Sequence, residues 1–206
     1  MMKTSVCKLC RREGVKLFLK GNRCETSKCA IQKRNFPPGA HPWTRVRHSE
    51  YRTQLREKQK LKRFYGVEEK QFTNYYEDAV RMPGNTGENL LALLERRLDN
   101  VLFTSGLASS RRAARQMIGH GHILVNDRRC NVSSRRVRLG DRVSVSAREK
   151  IRSVAKEAFE LRSSYPVPAW LDRDGSTLET RISNLPARSD ITFEVREQLV
   201  VELMSK

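Results

Sequence analysis

No stretch of the 206-residue sequence approaches the roughly 20 consecutive apolar residues that a membrane-spanning helix needs, and only 38% of residues are hydrophobic. No membrane partner is therefore expected. The first residues lack the apolar centre of a secretory signal, and nothing there supports a transit peptide. Five cysteines, an odd number, in a chain read as not exported argue against a disulfide framework and for metal-bound or free thiols. Acids are scarce wherever bases are dense, and neither flank of the central region carries a paired acid/base constellation of the kind catalysis requires. An enzyme with a small-molecule substrate is not expected.

What the sequence does have is positive charge. Lys and Arg number 41 against 23 Asp and Glu, a net charge of +18, which makes a nucleic acid or another polyanion the leading partner. The charge is uneven: residues 1–65 hold 18 bases and 4 acids, whereas from residue 166 onward acids outnumber bases 7 to 5. The front of the chain is a basic arm, and the last segment, with Val195, Leu199 and Leu203 at helical spacing, suits docking on protein.

The most patterned stretch covers residues 89–126, NLLALLERRLDNVLFTSGLASSRRAARQMIGHGHILVN. A helix is predicted from Asn85 or Thr86 to Leu102, capped by Asn85 with Glu88 three residues on. Leu90, Leu94, Leu98, Val101 and Leu102 form its buried stripe; Glu95, Arg96, Arg97, Asp99 and Asn100 are assigned to its polar side. Ser109 or Ser110 caps a second helix that hides Ala113, Ala114, Met117 and Ile118 and projects Arg111, Arg112 and Arg115 the other way. No carboxylate lies between Ser105 and Asn126, so this face reads as a polyanion surface. Gly119 and Gly121 end the helix, and strands are predicted at residues 123–126, 130–132 and 142–145.

Cys7, Cys10, Cys24 and Cys29 give C-x2-C and C-x4-C pairs thirteen residues apart, a spacing that suits one tetrahedral zinc–thiolate site. Four free thiols, a redox pair and an iron–sulfur cluster are the alternatives. The surrounding segment is basic and poor in apolar residues, so a bound metal would supply folding energy that its core cannot. Residues 35–42, NFPPGAHP, read as an extended linker or a strap over a partner. Residues 49–65 form a basic helix with Tyr51, Leu55, Leu61 and Phe64 inward, and residues 68–81 a second with Phe72, Tyr75, Tyr76 and Val80 inward. Later come a helix at residues 147–161 and a hairpin pairing 167–171 with 177–182, with Trp170 covering one end of the core.

The run LLALLERRLDNVLF…GLASSRRAARQMIGHGHILVN resembles the signature of the bacterial-type small-subunit ribosomal protein four family. CKLCRREGVKLFLKGNRC, the PPG linker, LREKQKLKRFYGV, GENLLALLE, RISNLPARSDI and REQLVVELMSK extend the resemblance over nearly the whole chain. The cysteine spacing is similar to that of the family's zinc-binding branch. The sequence departs from the usual family pattern at MMKTSV, at Phe103-Thr104, at residues 132–135 and at Ala187.

The resemblance implies an α+β protein: an RNA-binding module of helices and a small antiparallel sheet (residues 90–186), inserted into a helical domain (48–89, completed by 187–206), behind a zinc-binding basic N-terminal arm (1–47). It implies a non-enzymatic constituent of the small ribosomal subunit that binds the five-prime domain of 16S rRNA, nucleates assembly of the body and affects translational accuracy. It also implies neighbouring small-subunit proteins where messenger RNA enters, its own messenger RNA as a further partner, a ribosome-bound cytoplasmic or organellar setting, and one structural zinc ion on the four cysteines. Residues expected at the RNA are Arg11, Arg12, Lys33, Arg34, Arg45, Arg47, Arg52, Arg56, Lys60, Arg63, Arg111, Arg112, Arg115, Gln116, His120, His122, Asn126, Arg135 and Arg136. An RNA-modifying enzyme and a zinc-dependent DNA-binding regulator are the rival readings.

Overall fold

The structure, a computed structural model, describes residues 5–42, 49–163 and 165–206. In chain order the described helices are α1 (Val6–Glu13), α2 (Ala30–Lys33), α3 (Glu50–Tyr65), α4 (Glu69–Arg81), α5 (Thr86–Glu95), α6 (Leu98–Thr104), α7 (Arg111–Gly119), α8 (Glu149–Leu161) and α9 (Glu197–Met204). The strands are β1 (Ile123–Val125), β2 (Arg128–Cys130), β3 (Arg142–Val145), β4 (Leu171–Asp174) and β5 (Glu179–Ile182). Two compact units emerge, Met1–Glu77 with Val195–Lys206, and Asp78–Glu194. The division falls inside α4, whereas the sequence reading drew domain edges at residues 89/90 and 186/187.

In the first unit α3 starts where Ser49 Oγ accepts the Arg52 amide at 3.2 Å and stops at Gly66, whose left-handed φ of 64° a side chain would disfavour. Leu61 and Phe64 are buried as expected, but Tyr51 faces solvent and Gln54 is buried instead. The reason is α9, which packs along α3: Gln54 Nε2 donates to Glu202 Oε2 at 3.0 Å. On α4, Phe72 and Tyr75 are buried while Val80, expected inward, is exposed.

In the second unit the expected single helix over residues 86–102 is two, α5 and α6, broken at Arg96 and Arg97. Arg97 is extended (ψ 135°) and bridges Arg136, and the backbone there trades helix bonds for bonds to another segment. Val137 N donates to Arg96 O at 2.8 Å, Leu98 N to Arg135 O at 2.9 Å and Asp99 N to Ser133 O at 3.2 Å. Every leucine of the predicted stripe is nonetheless fully buried, and those of α6, Leu98 and Leu102, join one core with Val125, Val137, Val143, Trp170 and Ile182.

The five strands form one antiparallel sheet in the order β2-β1-β3-β5-β4. Two turns lie elsewhere than the sequence reading placed them. Asn126 and Asp127, at φ 52° and 62°, make the two-residue turn between β1 and β2, so β2 begins at Arg128 rather than Cys130. The second hairpin turns after Asp174: its Oδ1 accepts Ser176 N and Oγ at 2.8 and 2.7 Å, and its Oδ2 accepts Thr177 Oγ1 at 2.9 Å. Asp172 and Arg173, expected in the turn, are strand residues.

Candidate nucleic-acid interface

The helix that carries the expected RNA face, α7, is mounted on α6 by a buried polar network. Ser110 Oγ caps it, accepting Ala113 N at 3.1 Å. Asp99 is completely buried and receives both forks of Arg97, Nε to Oδ1 at 3.1 Å and Nη2 to Oδ2 at 2.9 Å, and Arg115 Nε on Oδ2 at 2.6 Å. One turn away Asn100 Oδ1 accepts Arg111 Nε at 2.8 Å, while its Nδ2 donates to Glu95 O at 3.0 Å and Oε2 at 2.6 Å. The Arg111 guanidinium also lies 4.5 Å from the Phe103 ring centre.

These contacts correct the sequence reading twice. Glu95, Arg97, Asp99 and Asn100 are core residues, not a solvated side. Arg111 is buried, and the acids that balance α7 come from outside the window in which none was found. Arg115 keeps 30% of its side chain exposed. The open edge of α7 is therefore Arg112 and Gln116, continued by exposed His120.

α7 ends in a paired-amide cap: Gly121, at φ 71°, donates its N–H to Ile118 O at 2.8 Å and His122 donates its N–H to Met117 O at 3.0 Å. That reversal throws His120 and His122 onto the same side, ring centres 5.9 Å apart and nearly perpendicular. Partial desolvation, with Arg148, His120 and Arg129 nearby, holds the His122 imidazole below its ordinary pKa of 6.5. Asn126, expected to touch RNA, is exposed and locks its turn, accepting Arg142 N at 2.9 Å and donating to Asp141 Oδ1 at 2.8 Å. Arg136 is engaged by Asp78, and Arg135 is exposed.

In the first unit the basic residues are also more engaged than their sequence neighbourhood implied. Glu13 buries its carboxylate against Arg56 (3.3 Å) and Arg63, and burial pushes its pKa up despite both cations. Lys60 reaches Glu57 at 2.7 Å, and Glu69 takes Lys58 and Lys62. Arg11 Nε donates to Phe36 O at 2.9 Å with its guanidinium 4.7 Å from that ring, and Arg12 Nη2 donates to Pro38 O at 3.0 Å. The expected strap over a partner is thus strapped to α1. Lys33 and Arg34 are exposed and Arg52 half-buried; Arg45 and Arg47 lie outside the described residues.

Cys7, Cys10, Cys24 and Cys29 line one hollow between α1, the turn at Gly21–Cys24 and α2, and none is in a disulfide. Cys24 Sγ accepts the Lys20 amide at 3.3 Å, and the Leu17 amide hydrogen-bonds Cys10. Burial raises both thiols, and the neighbouring sulfurs push in the same direction. Four soft donors with amide N–H groups aimed at sulfur fit a zinc–thiolate centre by chemistry. Among the described residues, however, no group of three or more His, Cys, Asp or Glu is arranged to hold a metal as it stands.

Sequence reasoning missed Arg129 and Arg148, which converge on His122 from β2 and from the start of α8. Their only sequence signal was membership of an arginine-rich region.

Residues 1–95 match the family described as ribosomal protein S4/S9 N-terminal domain, and residues 96–143 match the S4 domain. Small ribosomal subunit protein uS4 of Pelotomaculum thermopropionicum is 52% identical over 202 residues, 98% of this chain and 97% of the relative. Proteins of that name from Desulforamulus reducens and Halothermothrix orenii are 51% and 50% identical over 200 and 204 residues, covering 97% and 99% of this chain and 96% and 98% of theirs. The chain belongs to the uS4 family of small ribosomal subunit proteins and is a structural, non-enzymatic constituent of the ribosome.

Proposed function

We propose that the protein binds a multi-helix junction in the five-prime domain of 16S rRNA, nucleates folding of the body of the subunit, and influences decoding accuracy through neighbouring proteins where messenger RNA enters. The observation that supports this most is the open edge of α7, where Arg112, Gln116 and His120 are presented by a helix whose other arginines are tied into a buried network. A rigid cationic edge suits a junction, which concentrates phosphates from several helices and is recognised by shape. Arginine forks bind phosphate oxygens in pairs and release condensed counterions. With about six to ten phosphates engaged, affinity for a five-prime-domain fragment should fall by about three to five orders of magnitude between 50 and 200 mM salt. A salt-independent affinity, or equal affinity for duplex DNA at matched salt, would overturn the reading. The chain's own messenger RNA, where it mimics the junction, would compete for the same edge, and the setting is the cytoplasmic ribosome.

The N-terminal arm is read as a zinc knuckle held by Cys7, Cys10, Cys24 and Cys29. When bound, the ion supplies cross-linking of a segment with little core, with thiolates replacing thiols. The chain's own part is to bring two cysteine pairs to one hollow and to aim the Lys20 and Leu17 amides at Cys24 and Cys10. Native mass spectrometry should find one zinc per chain, none after Cys10→Ser with Cys24→Ser, and the arm should become protease-sensitive in that variant. A stoichiometry of zero in protein purified without chelator refutes the assignment.

A further inference from the structure

We propose that His120, His122, Arg129 and Arg148 form one seat for a backbone phosphate of RNA, and that filling it takes up a proton. The inference rests on the reading of the protein as an RNA binder and adds both a specific subsite and its chemistry.

The seat is built by the backbone. The left-handed Gly121 between the two histidines closes α7 and brings the rings to 5.9 Å. Arg129 of β2 lies across Gly121, so closely that a Cβ there would come within 2.9 Å of its Cδ. Ser146 N donates to His122 O at 2.9 Å, which carries the connection from β3 to α8, and Arg148 with it, alongside the ring.

Each element packed here thus contributes a cationic or titratable group. α7 gives His120, β2 gives Arg129 and the start of α8 gives Arg148, and the charges acting most on His122 are those three. Glu149, the next residue along α8, is exposed. The two guanidiniums repel one another and disfavour a charged His122 ring, and a phosphodiester relieves this: its two free oxygens share one negative charge and can accept from all four groups.

The proton follows from the sign of the interaction. Without RNA, desolvation and the neighbouring Arg148, His120 and Arg129 push the His122 imidazole toward its neutral form. A phosphate against the ring favours imidazolium, so the bound form titrates higher than the free form. Binding must then strengthen as pH falls from above the bound value to below the free one, by about tenfold for each unit between them.

The test uses the full chain and a five-prime-domain rRNA fragment over a series of salt concentrations. Dissociation constants are measured at pH 8, 7 and 6 for wild type, His120→Gln/His122→Gln and Arg129→Gln, and binding enthalpies are taken in two buffers of different ionisation heat. Wild type should gain about tenfold in affinity across the range and show proton uptake near pH 6.5. The double histidine variant should lose both and bind more weakly than wild type, most of all at pH 6, and Arg129→Gln should flatten the pH dependence and reduce the salt slope by about one phosphate. An unchanged pH dependence in the histidine variant, or no proton uptake in wild type, overturns the seat and leaves RNA binding standing. Salt-independent or absent RNA binding at every pH overturns the underlying reading as well.

Discussion

Removing the Asp99 carboxylate should cost the second unit more than any other single change to its polar groups. Asp99 and Arg97 are 0% and 2% exposed in their side chains, and their two-pronged contact is completed by Arg115 on the same carboxylate. Asp99→Ala strands the Arg97 guanidinium in the interior with its carboxylate partner gone, a situation that costs about 3–5 kcal/mol. Arg115 adds little to that, because its side chain can swing into water. Trp170 is 1% exposed in the core of this unit, so its fluorescence in a Trp43→Phe background reports the relevant unfolding during a urea titration. The midpoint should fall with little change in slope. Replacing both members with apolar residues, Arg97→Met with Asp99→Leu, should recover most of the loss, since the desolvation of two charges is removed along with their attraction. A cost below about 1 kcal/mol for Asp99→Ala, or a double variant as unstable as the single one, would refute the claim that burial makes this pair expensive to break.

The arginines of α7 should separate by role. Arg111→Ala should destabilise by about 1–3 kcal/mol, because Asn100 loses a charged donor in the interior, whereas Arg112→Ala should leave stability within about 0.5 kcal/mol and lower the salt slope of rRNA binding by about one. Gly175→Ala would set a Cβ 2.5 Å from the Phe159 ring, beside which Arg173 also lies, and should cost about 1–3 kcal/mol in the same urea titration. An effect near zero would show that the ring moves aside without strain. Three hydrogen bonds from Ser176 and Thr177 hold the Asp174 carboxyl down at about 2, below its ordinary 3.8. The turn's advantage over Asp174→Ala is therefore present above 3.8 and lost as pH falls through about 2. A carboxyl titration by NMR with a midpoint above 3.5 would contradict the contacts seen at Asp174.

Much of the fold was legible because it depends on periodicity. The leucine stripe, the caps at Asn85 and Ser110, the glycine stops and the docking of the C-terminal helix all follow from local pattern. The break at Arg96 and Arg97 was not legible, because its cause is long-range: residues 133–137 offer that backbone better-placed bonds than the helix does. Nor could pattern tell that Gln54 goes inward and Tyr51 outward, since the partner that decides it, Glu202, is 148 residues away. The turn at Asn126 and Asp127 was within reach, because these residues tolerate positive φ, but the competing strand signal of Ile123, Leu124 and Val125 extended one residue too far.

The expected RNA surface illustrates why counting charge within a window misassigns arginines. A window free of acids implies an unneutralised face only if neutralisation is local. Here Asp99 is 16 residues from Arg115, Glu13 is 43 and 50 residues from Arg56 and Arg63, and Asp78 is 58 residues from Arg136. Two acids, Asp99 and Glu13, lie beneath arginines with their carboxylates almost wholly buried. Asp99 fixes Arg115 at the base of α7 while Arg112 is left outward. Residues that look equivalent in sequence therefore divide into those that hold the surface rigid and those left open on it. Rigidity matters for a junction binder, because a phosphate contact made by a helix that must first be ordered loses part of its energy to that ordering. The same logic favours the end of α7, where backbone geometry holds two histidine rings beside one another.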